Sequence, residues 1–319
     1  MNIYVCNKPL IFQTGSNIKL TDRAEYFKSI IADGKELIKT GEEDGELFVS
    51  ELKDPKVYIA FKEGITKFLS VFYGCKALVS IPENLFVNYP QAISFVYVFF
   101  GCRNLKEIPE NLFANNPAVT TFEGTFYNCK SLKSIPEKLF AHNPNVTDFS
   151  EIFRGCSKLK KIPEKLFPNC PKVTYFCRSF QNCKALKEIP GKLFANCPNA
   201  TSFDSSFSGC STLKSIPENL FAKNQEVTNF QDSFNGCLSL TEIPEKFFAN
   251  NPEAMNFLYT FAKCESLEDF PDNLFANCPK ATNIIWTFWI NMLFKTFSTK
   301  WTIFPMVANP TIGFFFECL

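Results

Sequence analysis

An Ile-Pro or Phe-Pro pair recurs every 27 residues, at Ile81, Ile108, Ile135, Ile162, Ile189, Ile216, Ile243 and Phe270. Cysteine keeps the same register at Cys75, Cys102, Cys129, Cys156, Cys183, Cys210, Cys237 and Cys264. A strict period of this size constrains the fold severely. One unit is too small to bury its own apolar face, so units must stack on each other in a solenoid. Such a stack presents long surfaces and offers few ways to converge distant residues on a reacting atom.

The unit Leu159-Lys-Lys-Ile-Pro-Glu-Lys-Leu-Phe-Pro-Asn-Cys-Pro-Lys-Val-Thr-Tyr-Phe-Cys-Arg-Ser-Phe-Gln-Asn-Cys183 can be read piece by piece. Leu159-x-x-Ile162 is extended, because a residue before proline avoids the α region. Pro163 suits the first position of a brief helical turn over Pro163–Phe167, with Glu164 at its start. Asn169 can adopt the left-handed conformation that ends this turn, and Pro171 stops its continuation. Val173-x-x-Phe176 is a second extended piece. Phe176, Phe180 and Cys183 are spaced as one helical face. Stacked at the repeat interval, Leu105, Leu132 and Leu159 fall in one column and Phe126, Phe153 and Phe180 in another. The Leu-x-x-Ile segments are therefore expected to form a parallel sheet.

The repeat sets the boundaries. Residues 65–290 hold eight units, residues 1–64 form an N-terminal cap or a small attachment domain, and residues 291–319 form a degenerate C-terminal cap or tail. A cap is expected because a bare solenoid end exposes its core. The first segment reads as strands at Ile3–Val5 and Leu10–Phe12, a helix-like stretch over Thr21–Ile31, and a turn or loop at Gly41–Gly45. The tail from Trp286 is aromatic and poor in charge, which leaves a partner-binding surface open as an alternative to a cap. Neither long uncharged run, 281–294 or 301–316, reaches the length of a bilayer span. No secretory signal is visible at the start.

The segment Val146-Thr-Asp-Phe-Ser-Glu-Ile-Phe-Arg-Gly-Cys-Ser-Lys-Leu-Lys-Lys-Ile162 resembles the BspA-like bacterial surface-protein leucine-rich repeats. It is similar to the treponemal-type repeat (V-x-x-I…A-F-x-x-C-x-x-L-x-x-I) and to the surface-protein repeat (V-T-x-M…M-F-x-x-C-x-x-L). The resemblance spans about residues 65–290. It implies an α/β repeat solenoid, a right-handed leucine-rich-repeat-like superhelix with a parallel sheet on one face and short helical turns elsewhere. It also implies adhesion or protein binding, at a cell surface or on a virion. This chain departs from the pattern in its period and in an added Pro-Glu-x-Leu-Phe turn.

No constellation for catalysis appears. His142 is the single histidine among 319 residues, and it occupies a slot held by Asn115, Asn169, Asn196 and Asn250 in other units. No Gly-rich phosphate loop or nucleophile elbow is present. A cysteine column does not converge as a metal site requires. Buried, reduced thiols are the expectation, with Cys170, Cys177, Cys197 and Cys278 the more exposed. No cofactor is expected.

The charged feature that stands out is a lysine column, Lys106, Lys133, Lys160, Lys187 and Lys214, with Lys161 beside it. It gives way to Thr241 and Glu268. It is read as the partner-binding strip, basic toward the N-terminal side and acidic toward the C-terminal side. The partner expected is a protein or glycan. The formal net charge of +1 argues against nucleic acid. The alternative is a structural component of a larger particle, such as a phage tail or fibre, assembled through residues 1–64 or the aromatic tail.

Overall fold

A computed structural model describes residues 8–39, 45–289 and 291. The expectations for Ile3–Val5, for 41–44 and for the tail beyond Asn291 lie outside the described residues.

The chain opens with strands β1 (Leu10–Phe12), β2 (Gly15–Thr21), β3 (Phe27–Ala32), β4 (Lys35–Lys39), β5 (Leu47–Leu52), β6 (Lys56–Phe61) and β7 (Leu78–Ser80). Five form a sheet in the order β4-β3-β6-β1-β7, and β2 pairs with β5. The pairings in both sheets are antiparallel. The helix expected over Thr21–Ile31 is not formed. A single 3-10 turn covers Ala24–Tyr26, and Phe27–Ala32 is β3. The run Phe-Lys-Ser-Ile-Ile-Ala has a mixed pattern, and pairing on both edges with β4 and β6 decides the outcome.

This unit meets the first coil of the repeat along three lines. β7 already lies in the Leu-x-x-Ile register and pairs with β1. The Thr21 hydroxyl and the Asp22 N–H both donate to the Val71 carbonyl, at 2.6 and 3.0 Å. Phe61 packs at 5.1 Å from Phe68 and 6.0 Å from Phe86, so the open end of the aromatic core is covered.

The solenoid is a stack of coils joined by parallel bridges. They run from Lys67 through Ser94, Thr121, Asp148, Tyr175, Ser202, Asn229 and Asn256 to Asn283. This places the ladder on the Val-x-x-Phe segment, which corrects the expected sheet at Leu-x-x-Ile. Successive Leu-x-x-Ile segments are still neighbours, with the Lys160 N–H 3.2 Å from the Lys133 carbonyl. They form no strand pairing after β7, because proline directly after each Ile or Phe removes a ladder donor.

The helical face expected for Phe176, Phe180 and Cys183 is also absent. Arg178 and Asn182 have left-handed φ angles of 56° and 60°, which an α-helix does not accommodate. Alternate N–H groups leave the coil altogether. Those of Phe176, Arg178, Phe180 and Asn182 donate to the carbonyls of Ser202, Asp204, Ser206 and Ser208 in the next coil, at 2.7–3.1 Å. The turn at Pro163 is closed by a bond from the Leu166 N–H to the Pro163 carbonyl at 3.2 Å. It is a turn and not a helix. Asn169 is not among the left-handed residues.

Three phenylalanine columns fill the interior. Phe176 stacks on Phe203 at 5.4 Å and Phe180 on Phe207 at 5.5 Å, with interplanar angles of 1° and 6°. Phe167 and Phe194 fill the space between at 5.0 and 4.6 Å from Phe176. All six are buried.

Polar side chains inside the stack act as donors to carbonyls of the preceding coil. Cys183 Sγ lies 3.3 Å from the Phe153 carbonyl, and Cys102, Cys129, Cys156, Cys210, Cys237 and Cys264 make the same contact. Burial pushes these thiols up, to about 12 for Cys210 and Cys264, so the S–H stays on at neutral pH. Asn291 occupies the same column, where its Nδ2 donates to the Phe261 carbonyl at 3.0 Å. The repeat therefore persists one coil beyond the last columnar cysteine.

Asn116, Asn143, Asn224 and Asn251 form a second donor column. Asn143 Nδ2 reaches the Phe113 and Asn116 carbonyls at 3.1 and 2.9 Å. Cys170, Cys197 and Cys278 sit in this column and are buried, contrary to the expected exposure. They share the corner with asparagine because the corner faces inward. Asn143→Ala should destabilise the protein by about 2 kcal/mol, since two buried carbonyls lose their donors. Cys170→Asn should be close to neutral, since the donor bonds gained are offset by a buried Oδ1 left without a partner, as at Asn116 and Asn143. Chemical denaturation of both variants checks the pair.

Cys177 alone among the described cysteines is partly exposed. With Cys6 and Cys318 changed to serine, native protein should label at Cys177 and nowhere else. Denaturation without reductant should release the described thiols, and mass mapping of the label would detect a Cys129–Cys156 disulfide instead.

Candidate partner-binding surfaces

Two outer surfaces follow from this geometry. The first carries the lysine column. Lys106, Lys133, Lys160, Lys161, Lys187 and Lys214 are all exposed. The Leu-x-x-Ile backbone aims Leu and Ile inward and leaves the next position pointing out, so the lysines recur once per coil. They lie away from the parallel ladder, on the segment that begins with β7. Lys161 stands 3.8 Å from Glu188 with both side chains well exposed, and such a pair contributes little.

The second surface is the ladder side, and it was not singled out from the sequence. Its αL column reads Ser70, Tyr97, Gly124, Glu151, Arg178, Ser205, Asp232, Tyr259 and Trp286, all at positive φ. The Tyr97 ring lies across Gly124, where an added Cβ would come within 2.0 Å of the ring. That gap lets the Tyr97 hydroxyl donate to Glu123 at 3.0 Å and to Glu151, two coils on, at 3.2 Å. Arg154 pairs with Glu151 and covers the Tyr127 ring at 4.8 Å. Arg178 stands between Glu151 and Asp204. Burial holds Glu123 above the ordinary carboxylate range, with Asp148 and Glu151 adding to the effect. Burial and the bond to Glu123 raise the Tyr97 phenol as well. A legible signal existed: this column changes residue type from coil to coil while its inward neighbours stay Phe.

His142 is exposed in its loop. Among the described residues no group of His, Cys, Asp and Glu has the arrangement to hold a metal ion, and no helix is long and apolar enough to cross a membrane. The surfaces display side chains along a line rather than around a point.

No curated protein matches the sequence. A chain of the Drosophila Toll–Spatzle complex is 20% identical, over 64% of this chain and 30% of that one, with a TM-score of 0.38. A leucine-rich cell surface protein from Faecalibacterium prausnitzii is 19% identical over 75% of this chain and 79% of that one, with a TM-score of 0.25. A chain of the receptor kinase ectodomain complex of GASSHO1/SCHENGEN3 from Arabidopsis thaliana is 17% identical over 64% and 31%, with a TM-score of 0.25. The chain thus spans under a third of the first and last of these. The model of the BspA type leucine-rich repeat region matches in six copies, over residues 58–201 and 133–282. With its cysteine and phenylalanine columns stacked coil on coil over that same stretch, the chain belongs to the BspA-type leucine-rich repeat family.

Proposed function

We propose that this protein is a non-enzymatic recognition or adhesion module, which binds a protein or glycan partner along its solenoid. One observation carries the reading. The inward columns are nearly constant from coil to coil, while of the outward columns one changes side chain along the ladder side and another holds lysine through five coils. A stack of this kind gives extended recognition at little ordering cost. Residues 8–64 serve as the cap of the aromatic core in this reading, and residues 65–290 as the binding solenoid. Lys106, Lys133, Lys160, Lys161, Lys187 and Lys214 are the partner-binding residues proposed, steering an anionic partner to the strip.

Binding to protein and glycan arrays tests the reading, with size-exclusion chromatography and light scattering on the same preparation. A monomer with a selective array partner is the expected result. Reversal of Lys133, Lys160 and Lys187 to Glu should slow association and flatten its salt dependence, with melting nearly unchanged. Obligate oligomers or filaments with no array partner would favour the particle component instead.

A further inference from the structure

The lysine column is half of a wider basic patch. The position after each columnar cysteine, and the one following it, supply Lys76, Arg103, Lys130, Lys158 and Lys184, all exposed. These positions and the lysine column lie on the same side of consecutive coils, separated only by an inward Leu such as Leu105 or Leu132. Through the first six coils they contain no acidic residue; the first acids there are Glu265 and Glu268. None of these ten cations is in an ion pair among the described residues.

The contrast with the chain's other lysine column is sharp. Lys138, Lys165, Lys192 and Lys246 are equally exposed and equally periodic, but the position before that column is acidic in seven of eight coils (Glu83, Glu110, Glu137, Glu164, Glu218, Glu245 and Asp272), whereas the position after the first column is acidic beside only two of its five lysines, at Glu107 and Glu188. That column is net negative along its length, whereas the patch stays net positive through the first six coils.

We propose that the basic patch binds a linear polysaccharide bearing sulfate or uronate groups, laid along the stacking direction. This deepens, and rests on, the recognition reading above. Coils joined by a parallel ladder repeat about every 4.7–4.9 Å, so the patch is a one-dimensional lattice of cations. A polymer with anionic groups at every sugar, or every second sugar, meets successive lysines without bending. The choice of lysine fits this partner, because an ammonium is a point charge that tolerates varied oxyanion geometry, while arginine imposes a bidentate fork. Single-stranded nucleic acid is the poorer fit. It is held by aromatic platforms on which bases stack, and no aromatic residue occupies these columns. The aromatic side chains Tyr97, Phe100 and Tyr127 belong to the ladder side.

The test uses the full chain and a fluorescein-labelled heparin decasaccharide, followed by fluorescence anisotropy at physiological salt. Two triple variants are compared, Lys133→Glu/Lys160→Glu/Lys187→Glu in the patch and Lys138→Glu/Lys165→Glu/Lys246→Glu in the other column, each checked for an unchanged melting curve. The same net charge is lost in both. Expected is a drop in affinity of at least about tenfold for the patch variant and less than about threefold for the other, since only the former opposes an ion lattice. An oligothymidylate of equal charge should bind more weakly than the decasaccharide. Equal losses in the two variants, no binding by the wild type, or tighter binding of the oligothymidylate would each overturn the proposal. So would patch-dependent self-association seen by sedimentation in place of sugar binding. Patch-dependent capture of an array protein without heparin binding would sink the polysaccharide and leave the recognition reading standing.

Discussion

Phe180→Ala lowers the midpoint of thermal unfolding far more than Lys187→Ala. Phe180 is fully buried, stacked between Phe153 at 5.7 Å and Phe207 at 5.5 Å. Its removal leaves a ring-sized gap in the middle of a column, and both neighbours lose a face. Rings fixed by stacking on each side cannot collapse into that gap, so a loss of about 3–5 kcal/mol is expected. In a stack whose stability is a sum of coil and interface terms, the loss falls on two interfaces at once. Lys187 is exposed and unpaired, so its truncation stays within about 0.5 kcal/mol. Calorimetry on the two variants and the wild type measures the difference. Equal shifts would mean that the inward and outward columns are wrongly assigned.

Much of this was legible because the repeat does the work of an alignment. Eight copies of one sentence expose which positions must be Phe, Leu or Cys, and those positions are buried along the stack, with Phe275 in the last unit partly exposed. The lysine column could likewise be placed outside from the Leu-x-x-Ile spacing alone. What the pattern did not carry was backbone direction. Phe176, Phe180 and Cys183 have helical spacing, and only the αL residues Arg178 and Asn182 reveal that the segment is something else. Asn182 is a familiar αL residue; arginine at Arg178 is not, and its neighbours in the column include Tyr97 and Trp286. The conformation is imposed by hydrogen bonds to the next coil, which is a tertiary effect that overrides local preference.

The repeat pattern predicts the ladder on the wrong extended segment for a related reason. Val173-x-x-Phe176 and Leu159-x-x-Ile162 are equally extended on paper. Proline after Ile162 removes a donor just where a ladder would continue, and threonine-rich Val-Thr-x-Phe has all its N–H groups. Thr174 N–H accordingly donates to the Thr147 carbonyl at 2.9 Å. The exposure expected at Cys170, Cys197 and Cys278 follows from the proline after each, which marks a loop, and loops are usually exposed. Here the residue before proline turns inward to serve carbonyls of the previous coil. The Tyr97–Glu151 contact spans two coils and depends on the missing side chain of Gly124. No local pattern announces it.

The central claim is that the 27-residue coil is the unit of this molecule, each coil held chiefly by its two neighbours. Excision of one period tests it most directly. Deleting residues 147–173 joins Val146 to Thr174, and every column closes up in register: Phe149 and Phe153 are replaced by Phe176 and Phe180, Cys156 by Cys183. Deleting residues 147–160 instead removes roughly half a coil and drives Phe and Leu columns onto outward positions, so the stack loses its continuity at that point. The measurement is thermal unfolding followed by circular dichroism, with small-angle scattering for length. The one-period deletion is predicted to remain folded with a single cooperative transition, a modestly lower midpoint, and a maximum dimension shorter by about 5 Å, the rise of one coil. The half-period deletion is predicted to lose that transition. If the one-period deletion unfolded as completely as the half-period deletion, the coil would not be the unit, and the account built on it would be contradicted.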